Sequence, residues 1–373
     1  ADVPLVSDRP FVDALSLNAG YRYSDYSIAG GSGFTADTYK FELRYAPVPS
    51  LRLRSSYNRA VRAPNITELF AAQVPGNVSA QDPCAGPNPT ASLENCMRSG
   101  VTEAQYGLIP ICPAEVCVTL GGGNLNLRPE IADTYTYGFV FTPSFLDNFT
   151  FTADYFDIFV DGYIGAVDAP TVINQCIQGG AEFFCDLFHR DPRSGVLFGT
   201  DGYIVATNQN TGYLQTSGTD FTSTYGFDLG RVIPGDADLG SLNVSLVGTW
   251  LNSRRIEQLP GLGSYNCVGL FGPTCGQPTP EWRHSVRLTW GSPRGGATVS
   301  ANWRYFGSAR LTSNEDNEFL SGNPVRINRR IAAYSYLDLA GTWEVFDQVE
   351  LRAGINNVFD RSPPVIAAGL LSS

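Results

Sequence analysis

The sequence predicts an all-β fold, the wall of an antiparallel transmembrane β-barrel with about 11 strands present. Three observations support this prediction. Apolar and polar residues alternate along many segments, short and long connections alternate along the chain, and the apolar strand face is rich in Tyr, Trp and Phe. A period of two marks strands whose faces meet different environments. No change of composition marks a linker, so we expect one architecture over residues 1–373.

The alternation is clearest between Glu130 and Thr142, where one face carries Tyr135 and Tyr137 and the other carries Thr134. At Phe156 and Asp157 the faces exchange, which predicts either a bulge or the point where a strand leaves the membrane. The predicted strands are 15–23, 39–45, 51–57, 130–142, 149–155, 221–229, 242–250, 282–290, 297–305, 337–345 and 349–356.

The connections between these strands alternate in length. Short turns are predicted at 47–50, 143–147, 233–239, 291–296 and 347–348, and longer connections at 28–36, 63–129, 165–208, 258–279 and 312–333. Short periplasmic turns and long extracellular loops are typical of outer-membrane barrels. A soluble sandwich, propeller or solenoid would also alternate, but its apolar face would be a core of branched aliphatic residues. The tryptophans near strand ends instead favour an interfacial girdle: Trp250, Trp282, Trp290, Trp303 and Trp343.

Composition excludes several functional classes. The net charge of −11 opposes binding to nucleic acid. No apolar run approaches the roughly 20 residues of a membrane-spanning helix, and the first residues lack the features of a signal peptide. The only histidines, His189 and His284, cannot supply a convincing Ser/His/Asp set, so we predict no catalytic residues, no cofactor and no enzyme.

Eight cysteines lie in the long loops, which is typical of disulfides formed in an oxidising compartment. The first four allow three connectivities, among which pairing of sequence neighbours is favoured. A zinc site is disfavoured because Cys112 and Cys117 have no matching second half, and no metal site is predicted. The favoured disulfides are Cys84–Cys96, Cys112–Cys117, Cys176–Cys185 and Cys267–Cys275.

Three motifs carry a family resemblance: NRAVRAPNITELF at 58–70, NLNLRPEIADTYTYG at 124–138 and GINNVFDR at 354–361. Together, and in this order, they resemble the barrel of TonB-dependent outer-membrane receptors. Leu125 stands where the family usually has proline, while Leu127, Pro129 and Glu130 match. Arg62 and Glu130 are placed to form an ion pair across the wall. The resemblance covers essentially the whole chain.

The resemblance implies a barrel of 22 strands around a plugged lumen. The motif at 354–361 resembles the end of the family's penultimate strand, strand 21, and counting back eleven strands makes the strand at 15–23 number 11, which agrees with the connector parity. The resemblance therefore implies that this chain is the C-terminal half of the barrel, without the plug domain, the first strands and the last strand. One strand face would turn its charged residues toward the plug, and charge pairing between wall and plug is their expected role. These residues are Lys40, Glu42, Arg44, Arg52, Arg54, Arg283, Arg287, Arg304, Asp338, Glu344, Glu350 and Arg352.

The resemblance also implies an active transporter in the outer membrane of a Gram-negative bacterium. It would bind a scarce, large nutrient outside and import it to the periplasm with energy from the TonB–ExbB–ExbD complex. Outer-membrane lipid and lipopolysaccharide would surround it, and disulfide-bonded loops slightly favour a carbohydrate ligand over a siderophore. A passive porin-type channel and an outer-membrane adhesin or enzyme barrel are the alternatives. The loop residues expected to contact the ligand are Tyr106, Phe183, Phe184, Asp186, Tyr203, Tyr265 and Phe271.

Overall fold

Twelve long strands form one antiparallel sheet in which each strand pairs with the next along the chain. The computed structural model describes residues 1–31, 33–233, 238–257, 263–272, 274–293, 296–317, 320, 325–346 and 348–367. The strands of this sheet, here named the wall, are β1 Asp2–Arg9, β2 Val12–Tyr26, β3 Phe34–Val48, β4 Leu51–Arg62, β5 Glu130–Phe141, β6 Phe149–Asp161, β7 Tyr213–Asp228, β8 Ser241–Glu257, β9 Trp282–Gly291, β10 Ala297–Phe306, β11 Tyr334–Phe346 and β12 Val349–Ile355.

All eleven predicted strands are present as β2 to β12, and β1 is one strand more than the sequence predicted. β1 pairs with β2 from Asp2–Asn18 to Arg9–Val12, with a register shift between Pro4 and Val6. Proline has no N–H to donate to a neighbouring strand, so it is tolerated in a strand such as β1, which pairs on one side only in this sheet. The irregular pairing also breaks the alternation by which the other strands were recognised.

The pairing register divides the wall into two faces, because residues directly opposite each other share a face. Val244, Leu288 and Ala301 form one such row. The register places all five tryptophans on this apolar face. It places the twelve charged residues predicted to turn inward on the opposite face, here named the inner face.

Ion pairs link strands of the wall on its inner face. Arg54 of β4 reaches Asp154 of β6 with Nε to Oδ1 at 2.6 Å. Gly138 of β5 lies between them in the register, and a Cβ there would overlap the Asp154 carboxylate. The missing side chain therefore lets the charges meet across an intervening strand. Arg304 and Asp338 form a similar bidentate pair at 2.7 and 2.9 Å.

The bulge predicted as one alternative at Phe156 and Asp157 is wrong. β6 pairs with β5 and with β7 through both residues without a register shift. The side chains change character while the backbone stays regular, and Asp157 on the apolar face accepts a hydrogen bond from Gln215 at 3.0 Å. The irregularity lies instead in β7, between Ser217 and Gly218, where β7 meets β8.

The long connections contain their own secondary structure. The helices are α1 Ile66–Phe70, α2 Leu93–Met97, α3 Ala169–Ile177 and α4 Glu182–Cys185, with 3-10 turns at Pro113–Glu115, Leu229–Arg231 and Thr312–Asn314. Asp168 begins α3 by accepting a hydrogen bond from the Thr171 N–H at 3.0 Å. The short loop strands are Val74–Ser79, Val116–Gly122, Ile164–Ala166, Phe188–His189, Tyr203–Asn210, Tyr265–Asn266, Leu270–Gly272, Gly276–Thr279, Ala309–Leu311 and Arg330–Ile331.

The predicted short turns connect wall strands at one end of the sheet and the long connections join them at the other. Residues 234–237, 294–295 and 347 of the predicted turns, and 32, 258–262, 273, 318–319 and 321–324 of the predicted longer connections, lie outside the described residues. Among the residues that the structure describes, no helix is long and apolar enough to cross a membrane.

The assignment of the two faces can be tested at the centre of β11, where Leu339 lies on the apolar face and Ala340 on the inner face. Leu339→Arg should destabilise the membrane-embedded wall by about 2–4 kcal/mol, because hydrocarbon does not solvate a guanidinium group. Ala340→Arg, one residue away, should change the free energy of unfolding by about 0.5 kcal/mol or less. Urea unfolding of the full-length protein from lipid vesicles measures both, and equal effects would contradict the face assignment.

Candidate functional site

Two long loops, residues 63–129 and 162–212, fold together at the outer end of the wall and are here named the cap. Val116–Gly122 of the first loop pairs in parallel with Tyr203–Asn210 of the second. A shared apolar core lies beneath this pairing and contains side chains from both loops, among them Ile109, Val172, Phe184, Leu197 and Ile204. The two loops are therefore one structural unit, although β5 and β6 separate them in the chain.

Three disulfides hold the cap together, and all four favoured cysteine pairs are present in the structure. Cys84–Cys96 ties α2 to the preceding turn, and Cys176–Cys185 joins α3 to α4. Cys112–Cys117 closes the turn that leads into the central loop strand. Such bonds restrict the unfolded loops and typically contribute about 2–4 kcal/mol each.

A buried ion pair joins the two loops of the cap. Arg190 donates to both carboxylate oxygens of Asp82, at 2.6 and 3.0 Å, and their side chains are only 3% and 2% exposed. Arg190 also donates to the Ser99 hydroxyl at 3.0 Å and to the Gly195 carbonyl at 2.9 Å. A buried charge is tolerated only when its hydrogen bonds are satisfied in this way. The pair fixes how one loop lies on the other.

The base of the cap is built from the first two sequence motifs. Arg62 donates to Glu130 at 2.6 and 2.8 Å, as the sequence predicted, and also to Glu68 at 3.1 Å. Glu68 completes a capping box with Asn65 at the start of α1. Glu130, only 7% exposed, accepts a further hydrogen bond from the Ile164 N–H of the second loop. These motif residues therefore anchor the cap to the wall.

The predicted ligand-contact residues have different environments. Phe184 and Phe271 are fully buried and Tyr265 is 5% exposed, so these three side chains belong to loop cores in this structure. Tyr106 is half-buried and donates its hydroxyl to the Ala91 carbonyl at 2.8 Å.

The other three lie nearer the cap surface. Phe183 is half-buried and meets Phe184 edge to face at 5.2 Å between ring centroids. Asp186 is exposed, and Tyr203 stacks on the exposed His189 ring at 4.5 Å. Pairing of Phe188–His189 with Tyr203–Ile204 brings His189 and Tyr203 together. His189 was not predicted as a contact residue, because a lone histidine in a loop gives no signal until its strand partner is known.

Tyr265 belongs to a second, smaller loop group held by Cys267–Cys275. Its hydroxyl is buried without a hydrogen-bond partner, and burial raises the pKa of Tyr265 to about 12. The phenol therefore stays neutral at physiological pH. In the cap, hydrogen bonds from Ser194 lower the pKa of Asp191. The same hydrogen bonds fix the tight turn between the two residues. Within the described part of the chain, no group of three or more His, Cys, Asp or Glu residues could hold a metal ion.

Comparison with known proteins gives a family match for most of the chain. Residues 6–358 match the model described as TonB dependent receptor-like, beta-barrel. No curated protein matches the sequence. Several solved structures are similar in fold. The siderophore receptor PirA from Acinetobacter baumannii is 13% identical, with a TM-score of 0.50 over 93% of this chain and 42% of that one.

Two further solved structures agree. The FrpB iron transporter from Neisseria meningitidis is 13% identical, with a TM-score of 0.51 over 93% of this chain and 39% of that one. A variant of the ferric enterobactin receptor PfeA from Pseudomonas aeruginosa, in complex with enterobactin, is 14% identical, with a TM-score of 0.50 over 96% and 48%. The chain thus spans less than half the length of these receptors.

Removal of one partner from the buried pair should loosen both loops of the cap. Asp82→Ala leaves the Arg190 guanidinium buried and unpaired, which typically costs about 3–5 kcal/mol. Hydrogen exchange of the full-length protein should show faster exchange in both 63–129 and 162–212. Glu94→Ala is the matched control, because Glu94 and Arg98 form an exposed pair at 3.9 Å, worth about 0–1 kcal/mol. Faster exchange in only one loop would contradict the shared unit.

Proposed function

The chain belongs to the TonB-dependent receptor family, and from this premise we propose that it forms wall strands and the extracellular cap of an active transporter. Proteins of this family lie in the outer membrane of Gram-negative bacteria. The transporter binds a scarce, large nutrient at its outer face and imports it to the periplasm. The cap is the single observation that carries the ligand-binding part of the proposal.

The cap is suited to ligand binding because it is organised before the ligand arrives. Its loops are fixed by three disulfides and by the Arg190–Asp82 pair, so little conformational entropy remains to be lost on binding. It is anchored to the inner face through Glu130 and Arg62, and so lies over the inner side of the wall. A ligand held by the cap would then be close to the path of import.

We propose that the ligand contacts the stacked His189 and Tyr203 rings, together with Asp186 and Phe183, which precede His189 by a few residues in the same loop. Two stacked rings offer an aromatic surface, and an exposed carboxylate three residues away offers hydrogen-bond acceptors. Tyr106 borders the cap core and is a less direct candidate. The buried Phe184, Tyr265 and Phe271 support the loops that present these groups.

Energy for import comes, in this proposal, from the TonB–ExbB–ExbD complex, which acts through the plug region of such receptors. The charged inner face of the wall supports the presence of a polar partner within the lumen. Arg283 and Arg287 of β9 project from this face, and no ion pair to either is present in the described parts of the wall. A passive channel does not need a preorganised extracellular cap, so the cap favours a receptor. We propose no catalytic step for the chain.

Two ligand classes lead to opposite expectations for expression. The sequence slightly favoured a carbohydrate, a preference that the structural relatives do not support. PirA is a siderophore receptor, PfeA is a ferric enterobactin receptor and FrpB is an iron transporter. Quantitative proteomics of outer membranes should show induction of at least five-fold under one limitation. Induction by iron starvation favours a chelate, and induction by one carbon source favours a carbohydrate. Energy dependence is tested separately by ligand uptake with and without TonB, and unchanged uptake would contradict active transport.

The ligand-contact assignment is tested by Tyr203→Ala in the full-length receptor. Loss of the ring stacked on His189 should weaken ligand binding at least ten-fold in equilibrium measurements on whole cells, using the inducing nutrient. Tyr163→Ala is the control, since Tyr163 is a cap tyrosine of the same loop that lies near the wall, next to Gly165, and is more exposed than the half-buried Tyr203. Equal affinities for the two variants would remove Tyr203 from the site.

A further inference from the structure

Four short loop strands form a further sheet outside the wall, here named the small loop sheet. In spatial order they are Gly276–Thr279, Leu270–Gly272, Ala309–Leu311 and Arg330–Ile331. Leu270 pairs with Arg310 in parallel, and Ala309 pairs with Ile331 in the antiparallel sense. The small loop sheet therefore joins two long loops that β9 and β10 separate in the chain.

The small loop sheet lies over the inner side of the wall beside β8. Arg254 of β8 belongs to the same register row as Lys40 of the inner face. Its Nη1 donates to Thr279 Oγ1 at 3.0 Å and to the Cys275 carbonyl at 3.3 Å. Movement of the sheet away from β8 would therefore uncover the inner side of the wall at this place.

Two buried hydroxyl groups in these loops have no hydrogen-bond partner. Tyr265, 5% exposed, packs with Leu270, and a Cβ at Gly272 would overlap Oγ1 of Thr312, which is 1% exposed. Among the described residues these are the only buried side-chain nitrogen or oxygen atoms without a partner. A buried hydroxyl that makes no hydrogen bond costs free energy that contact with water restores. Both groups therefore favour opening of the small loop sheet.

The segment that follows β12 opposes this opening. Residues 357–367, here named the latch, begin with a contact to the wall, where the Asn357 N–H donates to Asp338 Oδ1 at 2.9 Å. The Arg361 guanidinium then lies 3.9 Å above the centre of the Tyr334 ring. The third sequence motif thus fixes the start of the latch to β11.

The latch ends on the small loop sheet. Asn328 donates to the Val365 carbonyl and accepts a hydrogen bond from the Ala367 N–H, each at 3.1 Å. Ile366 lies between these two residues and packs against the apolar cluster of Phe271, Ala309 and Leu311. Because Asn328 directly precedes the strand pair at the edge of the sheet, these contacts tie the sheet to the wall through the latch.

We propose that the small loop sheet is a lid beside β8 and that the latch holds it closed. The Asn328 hydrogen bonds and the Ile366 contact stabilise the closed position, and the two unpaired hydroxyls destabilise it. Pro363 and Pro364 stiffen the latch between its two anchors because proline fixes φ. The inference concerns movement of the loops, so it goes beyond the proposed function and holds for any nutrient.

Hydrogen exchange of the full-length receptor in lipid vesicles tests the lid with two variants of opposite effect. Asn328→Ala should raise exchange about ten-fold in both Leu270–Gly272 and 365–367, because loss of two hydrogen bonds enlarges the open population. Tyr265→Phe should lower exchange of Leu270–Gly272 about ten-fold, because it removes an unpaired hydroxyl and keeps the ring. Urea unfolding checks that the wall of each variant is folded.

Asn314→Ala is the matched control for the latch. Asn314 makes the same two kinds of hydrogen bond, at 3.0 and 2.8 Å, but to the Val325 backbone within its own loop. It should leave exchange of 365–367 unchanged. Equal acceleration of 365–367 by Asn314→Ala and Asn328→Ala, or no acceleration by Asn328→Ala, would overturn the latch. Unchanged or faster exchange in Tyr265→Phe would overturn the claim that the lid favours opening.

Discussion

The backbone hydrogen bonds of the wall are the constraint on which the remaining structure depends. Hydrocarbon offers no partner to an N–H or C=O group, so each strand in a membrane must pair along its length with its neighbours. β6 shows the consequence, because its register continues through Phe156 and Asp157 even where the side chains change character. In β6 this unbroken register keeps the two faces distinct along the whole strand. Aromatic residues then meet lipid, and charged residues meet on the inner face.

The inner face and the cap use ion pairs in different ways. On the inner face, Arg54–Asp154 and Arg304–Asp338 cross between strands whose positions the backbone already fixes, and their side chains keep partial exposure. In the cap, the two loops share only a short parallel strand pairing, and the Arg190–Asp82 pair is buried at their contact. A buried, fully hydrogen-bonded pair tolerates few alternative geometries. It therefore adds a side-chain constraint to the backbone pairing that joins the two loops.

Local patterns account for the parts that the sequence predicted correctly. The wall strands repeat every two residues, so alternation located β2 to β12 without knowledge of their partners. Neighbouring cysteines in one loop are close in space for reasons of chain length, and Cys176–Cys185 needs only the turn between α3 and α4. β1 was missed because the register shift after Pro4 breaks its alternation. The prediction of a bulge was wrong because side-chain polarity indicates the environment of a strand. The regularity of the backbone cannot be inferred from side-chain polarity.

By itself, the sequence determined the strand faces and the connector parity, and it indicated the Arg62–Glu130 contact and favoured the disulfide pairs, since each is encoded within a strand, a turn or a family motif. It left three connectivities open for the first four cysteines. Only the tertiary structure decided which loop aromatics are available to a ligand. Phe184 and Phe271 are fully buried, whereas Tyr203 lies against His189 near the surface of the cap. The physical reason is that loop burial depends on contacts between segments far apart in the chain, such as Val116–Gly122 with Tyr203–Asn210. The sequence pattern within either segment does not predict that the two segments pair.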